Sequence, residues 1–333
     1  MVTLLVRNHM FFNQLIKNQG KYGPNLETLL RFCDLVEAGG NKAVAARKIK
    51  ATPNRGRSRS ALKDIENDLA TAVKNLEKTF GVELTHSTGK GVVEVTPAGR
   101  RLYHVLLEYS AALESVAVDA EAMPNHLNIA CSAGGFIDWQ WNPRYEAITE
   151  NFPNVKFSTV SNTTGKLIEM IREAKIDLGV MDMDRVPQDL DKIKLSVMRF
   201  AMFIPKRLLG RKKPTRQNIS NLPMAGLVGE GKYMKSLGEA SIRDGYDLKF
   251  DSFFGGFPQM FTSLASGRFA AVLPEVAGHG LMPDNIIILK DLEFLKALNR
   301  VNAIVWNKRL AAFRQYLPLA ADGIKKALLT PLP

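Results

Sequence analysis

Cysteine is scarce in this sequence. Cys33 and Cys131 are the only two in 333 residues, and both sit among apolar neighbours. With no CxxC pair and no Cys/His cluster, a disulfide framework and a zinc module are both excluded. Two reduced, buried thiols are expected, and a reducing cytoplasm suits them best. Histidine is scarce too. His9, His86, His104, His126 and His279 are scattered, without HxxxH spacing. No GxSxG, GxxxxGK[ST] or strand-following GxGxxG occurs, and Gly229-Glu230-Gly231 is too short to be a phosphate loop. No enzyme class, metal or cofactor is therefore expected. A run of about 18 apolar residues, as a membrane-spanning helix needs, is also missing. Arg7, Asn8 and His9 interrupt the first apolar patch directly after Val6, so no signal-peptide core is expected.

What the chain has in excess is positive charge. The formal net charge is +12, on an otherwise ordinary composition of 46% hydrophobic and 23% charged residues. A core can form, and a polyanion such as nucleic acid is a natural partner. The excess is not uniform. Residues 42–63 carry eight Lys and Arg (42, 47, 48, 50, 55, 57, 59 and 63) and no acid. A second run, 206–216, carries six more cations without an acid and reads as a solvated loop.

The pattern along the chain changes once. Residues 1–24 read as an extension. A helix is expected from Leu26 to the Gly39-Gly40 stop, and a short alanine-rich one over Lys42–Ile49. The stretch 51–60, with Pro53 and Gly56, reads as a loop. Leu62, Ile65, Leu69, Val73, Leu76 and Phe80 then recur at steps of three and four, which predicts a long helix from about Ala61 to Phe80. Two short strands, Val82-Glu83-Leu84 and Val92-Val93-Glu94-Val95, flank the turn Thr88-Gly89-Lys90-Gly91, and Thr96-Pro97 opens another helix reaching about Ala122. That helix carries Leu102, Val105, Leu106, Tyr109 and Leu113 on one stripe, suited to pairing with a copy of itself or to packing on its own domain. Beyond Met123-Pro124, strands alternate with helices, as in a mostly parallel sheet. Expected strands include Leu127–Cys131, Val155–Val160, Ile176–Met181 and a single strand over Ser196–Ile204.

Several stretches in this order resemble the LysR-type regulators over about residues 26–329. They are LETLLRFCDLVEAGG from Leu26, LEKTFGVEL from Leu76, STGKGVVEVTPAGRRL from Ser87, LNIACS from Leu127, AKIDLGVMD from Ala174 and MFTSLASGRFAAVLPEVA from Met260. The resemblance implies a winged helix-turn-helix over 25–96 and a linker and dimerisation helix over 97–122. It further implies an α/β effector-binding domain over 124–333, of the two-lobed, type 2 periplasmic-binding-protein-like kind. One lobe is expected at about 124–205 and 260–333, the other at about 206–259. Partners implied are double-stranded DNA, a small-molecule effector with a possible anionic group, and further copies of the chain as a homodimer or homotetramer.

One departure affects DNA reading. About a dozen extra residues separate Ala45-Ala46 from Leu76-Glu77, so the recognition helix could begin near Ser60-Ala61-Leu62 or near Asn67-Asp68-Leu69. The second register keeps the spacing to Phe80-Gly81 and is preferred. It places Glu66 and Asp68 at the DNA-facing end, where carboxylates repel phosphate. This leaves open a second reading, a LysR-like interaction protein that binds a protein partner or binds DNA without sequence preference. The expected DNA contacts are Arg55, Arg57, Arg59 and Lys63 in the basic stretch, Thr71, Lys74 and Asn75 on the helix, and Lys90 at the wing tip. For the effector, the Ser132-Ala133-Gly134 and Thr163-Thr164 turns offer helix N-termini to an anion. The resemblance implies that Ser132 and Thr163 lie where the family's effectors bind; with Ala133, Thr164, Gly229 and Phe254 they are the expected contacts, unless the hydroxyls are only helix caps. Trp139, Trp141 and Tyr145 read more readily as core than as pocket.

Overall fold

The computed structural model describes residues 26–51, 62–89, 91–117, 122–132, 134–228, 232–278 and 285–330. The chain divides into two compact units, Met1–Glu114 and Ser115–Pro333. The expected extension, 1–24, lies outside the described residues. The first unit contains α1 (Leu26–Glu37), α2 (Lys42–Ala51), α3 (Leu62–Phe80), β1 (Thr85–Ser87), β2 (Val93–Val95) and the start of α4 (Pro97–Ala117). Phe32 and Leu35 of α1, Ala45, Ala46 and Ile49 of α2, and Ile65, Leu69, Val73 and Leu76 of α3 share one core with Leu84, Val93 and Tyr103. β1 and β2 pair antiparallel, with His86 opposite Glu94, to make the wing. Asn41 caps α2 by accepting the Val44 N–H at 3.1 Å. Thr96 caps α4 by accepting the Gly99 N–H at 3.0 Å while its hydroxyl donates to the Glu83 carbonyl at 2.8 Å.

The preferred register of the recognition helix is corrected here. α3 begins at Leu62 and runs unbroken to Phe80, in the earlier of the two registers. The reason is Ile65, which is buried in the same core as Leu69 and Val73 and so anchors the first turn to the rest of the helix.

The second unit runs through β3 (His126–Cys131), a π-helical turn at Ile137–Trp141, α5 (Tyr145–Asn151), β4 (Lys156–Ser161), α6 (Thr164–Arg172), β5 (Leu178–Asp182), β6 (Leu190–Met198) and β7 (Phe200–Pro205). It continues with α7 (Lys206–Leu209), α8 (Arg216–Ser220), β8 (Pro223–Leu227), α9 (Lys232–Arg243), β9 (Lys249–Phe254), α10 (Phe257–Leu264), β10 (Ala270–Pro274), β11 (Ile286–Leu289), α11 (Glu293–Lys296), β12 (Arg300–Asn307) and α12 (Tyr316–Leu329). Among the described residues these strands form two sheets, in the orders β4-β3-β5-β12-β6 and β11-β7-β10-β8-β9. Each is the core of one lobe.

Two expectations about this unit are corrected. Neither sheet is mostly parallel: β3 pairs parallel with β4 and β5, but β12 pairs antiparallel with β5 and β6. In the other sheet β8 pairs parallel with β9 and β10, while β7 pairs antiparallel with β10 and β11. The lobe boundaries also move. The single strand expected over Ser196–Ile204 is two strands, β6 and β7, separated at Arg199 and placed in different sheets. β7, β10 and β11 therefore belong to the second lobe, which spans about 200–298, with crossings at Arg199 and just before Arg300. The second-lobe core explains this: Phe200–Ile204 and Ala270–Leu273 are buried side by side there, with Phe257, Met260 and Phe294.

Candidate functional site

In the first unit, the surface of α3 is the feature suited to DNA. Lys63, Asn67, Thr71, Lys74 and Lys78 are all exposed and follow one another at three- and four-residue steps, so they form one stripe opposite the buried Ile65-Leu69-Val73 face. Lys63, Thr71 and Lys74 were expected from sequence. Asn67 and Lys78 were missed, although the helical period alone places them. Asn75 is half-buried, at the margin of the stripe. Asp64 and Asp68 are exposed beside it, and Glu66 lies 3.6 Å from the Lys63 ammonium. The wing is tied to the end of α3 by Glu77, whose carboxylate accepts the Leu84 N–H at 2.9 Å and the Thr85 N–H at 3.0 Å. Arg55, Arg57, Arg59 and Lys90 lie outside the described residues.

In the second unit, a cleft of about 250 Å³ opens between the two lobes. The first lobe contributes Ser132 and Gly134 beyond β3, Thr164 at the start of α6, Asp182 at the end of β5, Arg185, and Arg300 and Asn302 at the start of β12. The second contributes Phe200, Leu227, Tyr233, Gly255, Gly256 and Phe257. This is where strand ends and crossover connections meet, the usual place for a ligand in an α/β sheet.

Of the expected effector contacts, Ser132 and Thr164 are brought together: the Thr164 hydroxyl donates to Ser132 Oγ at 3.2 Å. Thr163 does not line the cleft. It is exposed and caps α6, accepting the Lys166 N–H at 3.4 Å, so the plain capping role accounts for it. Phe254 is also absent from the lining; it packs half-buried on the second-lobe core. Ala133 and Gly229 lie outside the described residues. Trp141 is buried edge-on to Phe157, with ring centroids 5.5 Å apart, and Trp139 packs against Phe261 at 5.7 Å. The core reading holds for Trp141; Trp139 is half-buried against the second-lobe core, and Tyr145 is exposed.

The charged lining was not anticipated. Asp182 is 9% exposed and Asn302 only 1%. The Asn302 Nδ2 group is buried without a hydrogen-bond partner among the described residues. A buried donor left unpaired costs on the order of 1–3 kcal/mol, so this amide is poised for an acceptor that enters the cleft. Arg300 is half-buried, and desolvation pushes its guanidinium below the ordinary arginine value, opposed by the nearby Asp182 carboxylate. Burial pushes the Tyr233 phenol far upward, and its hydroxyl donates to the Val272 carbonyl at 2.6 Å. Only the ring of Tyr233 is therefore offered to the cleft. With Arg185 and Arg300 against Asp182, the lining carries one net positive charge.

Among the described residues no group of His, Cys, Asp and Glu is placed to hold a metal ion, and no helix is long and apolar enough to cross a membrane.

Comparison with known proteins bears on both units. A full-length OxyR variant from Pseudomonas aeruginosa superposes with a TM-score of 0.65 at 16% identity, covering 92% of this chain and 95% of that one. Full-length CbnR complexed with its target DNA gives 0.52 at 14% identity, over 89% and 100% of the two chains. An OxyR mutant from Corynebacterium glutamicum gives 0.50 at 17% identity, over 92% and 94%. At such identities these likenesses establish the shared fold, a helical unit followed by a two-lobed α/β domain. No curated protein matches the chain by sequence. The family model for the LysR substrate binding domain matches residues 122–318, more than half of the sequence, and so the chain belongs to the LysR-type transcriptional regulators, with an effector-binding domain as its second unit.

Proposed function

We propose that this regulator binds double-stranded DNA through the α3 stripe, the wing and the basic stretch 42–63, and that a small molecule bearing an anionic group controls it from the interlobe cleft. The observation that carries the effector half is the placing, in one cleft, of a half-buried Arg300 and an Asn302 Nδ2 group that has no partner among the described residues. A guanidinium and an amide side by side suit a carboxylate or a similar oxyanion. Ser132 and Thr164 add hydroxyls at the same wall. The DNA half is supported by the lysines of α3, and the DNA complex of CbnR lends the same fold to that use.

Mapping the genomic DNA bound by the chain in cells tests the reading. Discrete sites containing inverted repeats are expected. A second reading, as an interaction protein or a binder of DNA without sequence preference, is favoured by Asp64, Glu66 and Asp68 in the opening turns of α3. Uniform coverage of the genome, or none, would select it.

A further inference from the structure

The cleft contains charges of both signs, and a plain anion satisfies only one of them. β5 and β12 run antiparallel with Asp182 directly opposite Asn302. Arg300 precedes Asn302 by two residues on β12, so all three side chains leave the same face of the sheet. All three also line the cleft. Asp182 stands near enough to favour the charge on Arg300, yet no direct ion pair joins them among the described residues. Arg300 and Arg185 form no ion pair among the described residues, and the Asp182 carboxylate accepts one backbone N–H, from Asp184, at 3.3 Å. A dianion would meet Asp182 as a like charge, and a simple cation would leave both arginines unpaired.

The opposite wall is of another kind. Phe200, Leu227, Tyr233 and Phe257 present apolar surface from the second lobe, joined by Met198 at the crossing. The Tyr233 hydroxyl is already committed to the Val272 carbonyl. At about 250 Å³ the cleft lies just below the usual range for ligand sites, roughly 300–1,000 Å³.

Resting on the reading of this cleft as the effector site, we infer that it is built for a small zwitterion, an α-amino acid with an apolar side chain. Its carboxylate lies on Arg300 and the Asn302 amide, its ammonium lies on Asp182, and its side chain faces the second-lobe aromatics.

The test is calorimetric titration of the full chain with three series of probes. The first is L-leucine, L-methionine and L-phenylalanine. The second is the deaminated acids 4-methylpentanoate and 3-phenylpropanoate. The third is the decarboxylated amines isopentylamine and 2-phenylethylamine. At least one amino acid should bind, and removing either charged group should weaken it by about tenfold or more, the usual size of a lost charge-assisted hydrogen bond. In Asp182→Asn, which keeps the side-chain shape, the amino acid should lose its advantage over the deaminated acid; thermal melting checks that this variant is folded. Deaminated acids that bind the unsubstituted chain as tightly as the amino acids would overturn the zwitterion and leave an anion site standing. Amines that bind best would overturn both the zwitterion and the anion. If no probe of any series binds, the amino-acid inference fails, while the effector reading of the cleft stands for ligands of other chemistry.

Discussion

Two glycines with the same backbone sign separate the cost of conformation from the cost of contact. Gly40 ends α1 with φ +78°, and a Cβ there would lie 1.8 Å from the Val93 carbonyl oxygen. Nor can the strand retreat freely, because the Val93 N–H donates to the Gly40 carbonyl at 3.0 Å. Gly81, after α3, has φ +67°, and a Cβ there would meet nothing within 4 Å. Gly81→Ala should therefore cost about 1 kcal/mol, the penalty of the left-handed region alone. Gly40→Ala should cost about 2–4 kcal/mol, since overpacking against backbone is added. Urea unfolding of the two variants tests the difference, and equal losses would show that the α1–wing contact yields. Arg172 and Asp189 give a second case, joined by two hydrogen bonds of 2.8 Å. The guanidinium holds the Asp189 carboxyl below the ordinary aspartate value, and the same bonds raise Arg172. A carboxylate with a lowered folded pKa adds stability that is fully present above its unfolded value and is lost as pH falls through the folded one. Both side chains are more than one-third exposed, so solvent screening limits the pair to under about 1 kcal/mol. Asp189→Asn should lower the urea midpoint slightly at neutral pH, and the gap should close under acid, below the ordinary carboxylate range. A gap that widened under acid would reverse the assigned sign.

Elements were legible from sequence where one periodicity sufficed. α3 follows from Ile65, Leu69, Val73 and Leu76, which recur at helical spacing and are buried as that spacing requires. The wing follows from short strands around a glycine turn, but its first strand is Thr85–Ser87 and not the expected Val82-Glu83-Leu84, because Thr85 and Ser87 are the residues that pair with Val95 and Val93. Strand partners were less legible, because pairing is decided by residues far along the chain. The single strand expected over Ser196–Ile204 is apolar from Val197 onward apart from Arg199, and its division between β6 and β7 rests on β7 pairing with β10 and β11. The cleft divides in the same way. Ser132 and Thr164 stood out as hydroxyls in strand-to-helix turns. Asp182 ends an otherwise apolar strand, Arg300 and Asn302 alternate with apolar residues at the start of β12, and only the register of β5 against β12 brings the three together. In the DNA-binding unit the two kinds of DNA contact should be separable. Neutralising Arg55, Arg57, Arg59 and Lys63 together should weaken binding to specific and random duplexes by similar factors. Each lost phosphate contact should also flatten the log–log salt dependence by about one unit. Lys74→Ala or Asn75→Ala should instead change the ranking of duplexes, by roughly 1–3 kcal/mol for a lost base contact. Titration of one specific and one random duplex at several salt concentrations distinguishes them. A basic-stretch variant that loses specific binding alone would assign base reading to that stretch.

For the whole molecule, the open question is what covers α4. Leu102, Leu106 and Leu107 turn inward and pack on the core of the first unit. Val105, Tyr109 and Leu113 do not: they are 56%, 53% and 51% exposed. They stand four residues apart, so they make one continuous apolar seam along the helix. Large apolar side chains left in water along a single seam favour association, and a second copy of the same helix offers a matching surface. The chain should accordingly be a dimer or a tetramer at micromolar concentration, as light scattering would report. Tyr109→Glu places a charge in the middle of the seam and should shift the mass toward the monomer. Because Tyr109 is exposed in the single chain, the substitution should leave the urea midpoint of the monomer nearly unchanged. A two-fold assembly reads a two-fold site. Tyr109→Glu should therefore lose the advantage of an inverted-repeat duplex over a single half-site, while its affinity for the half-site is retained. A variant that stays dimeric and keeps that advantage would move the seam off this face of α4. One that loses half-site affinity as well would mean that Tyr109 supports the DNA-binding unit itself and not its pairing.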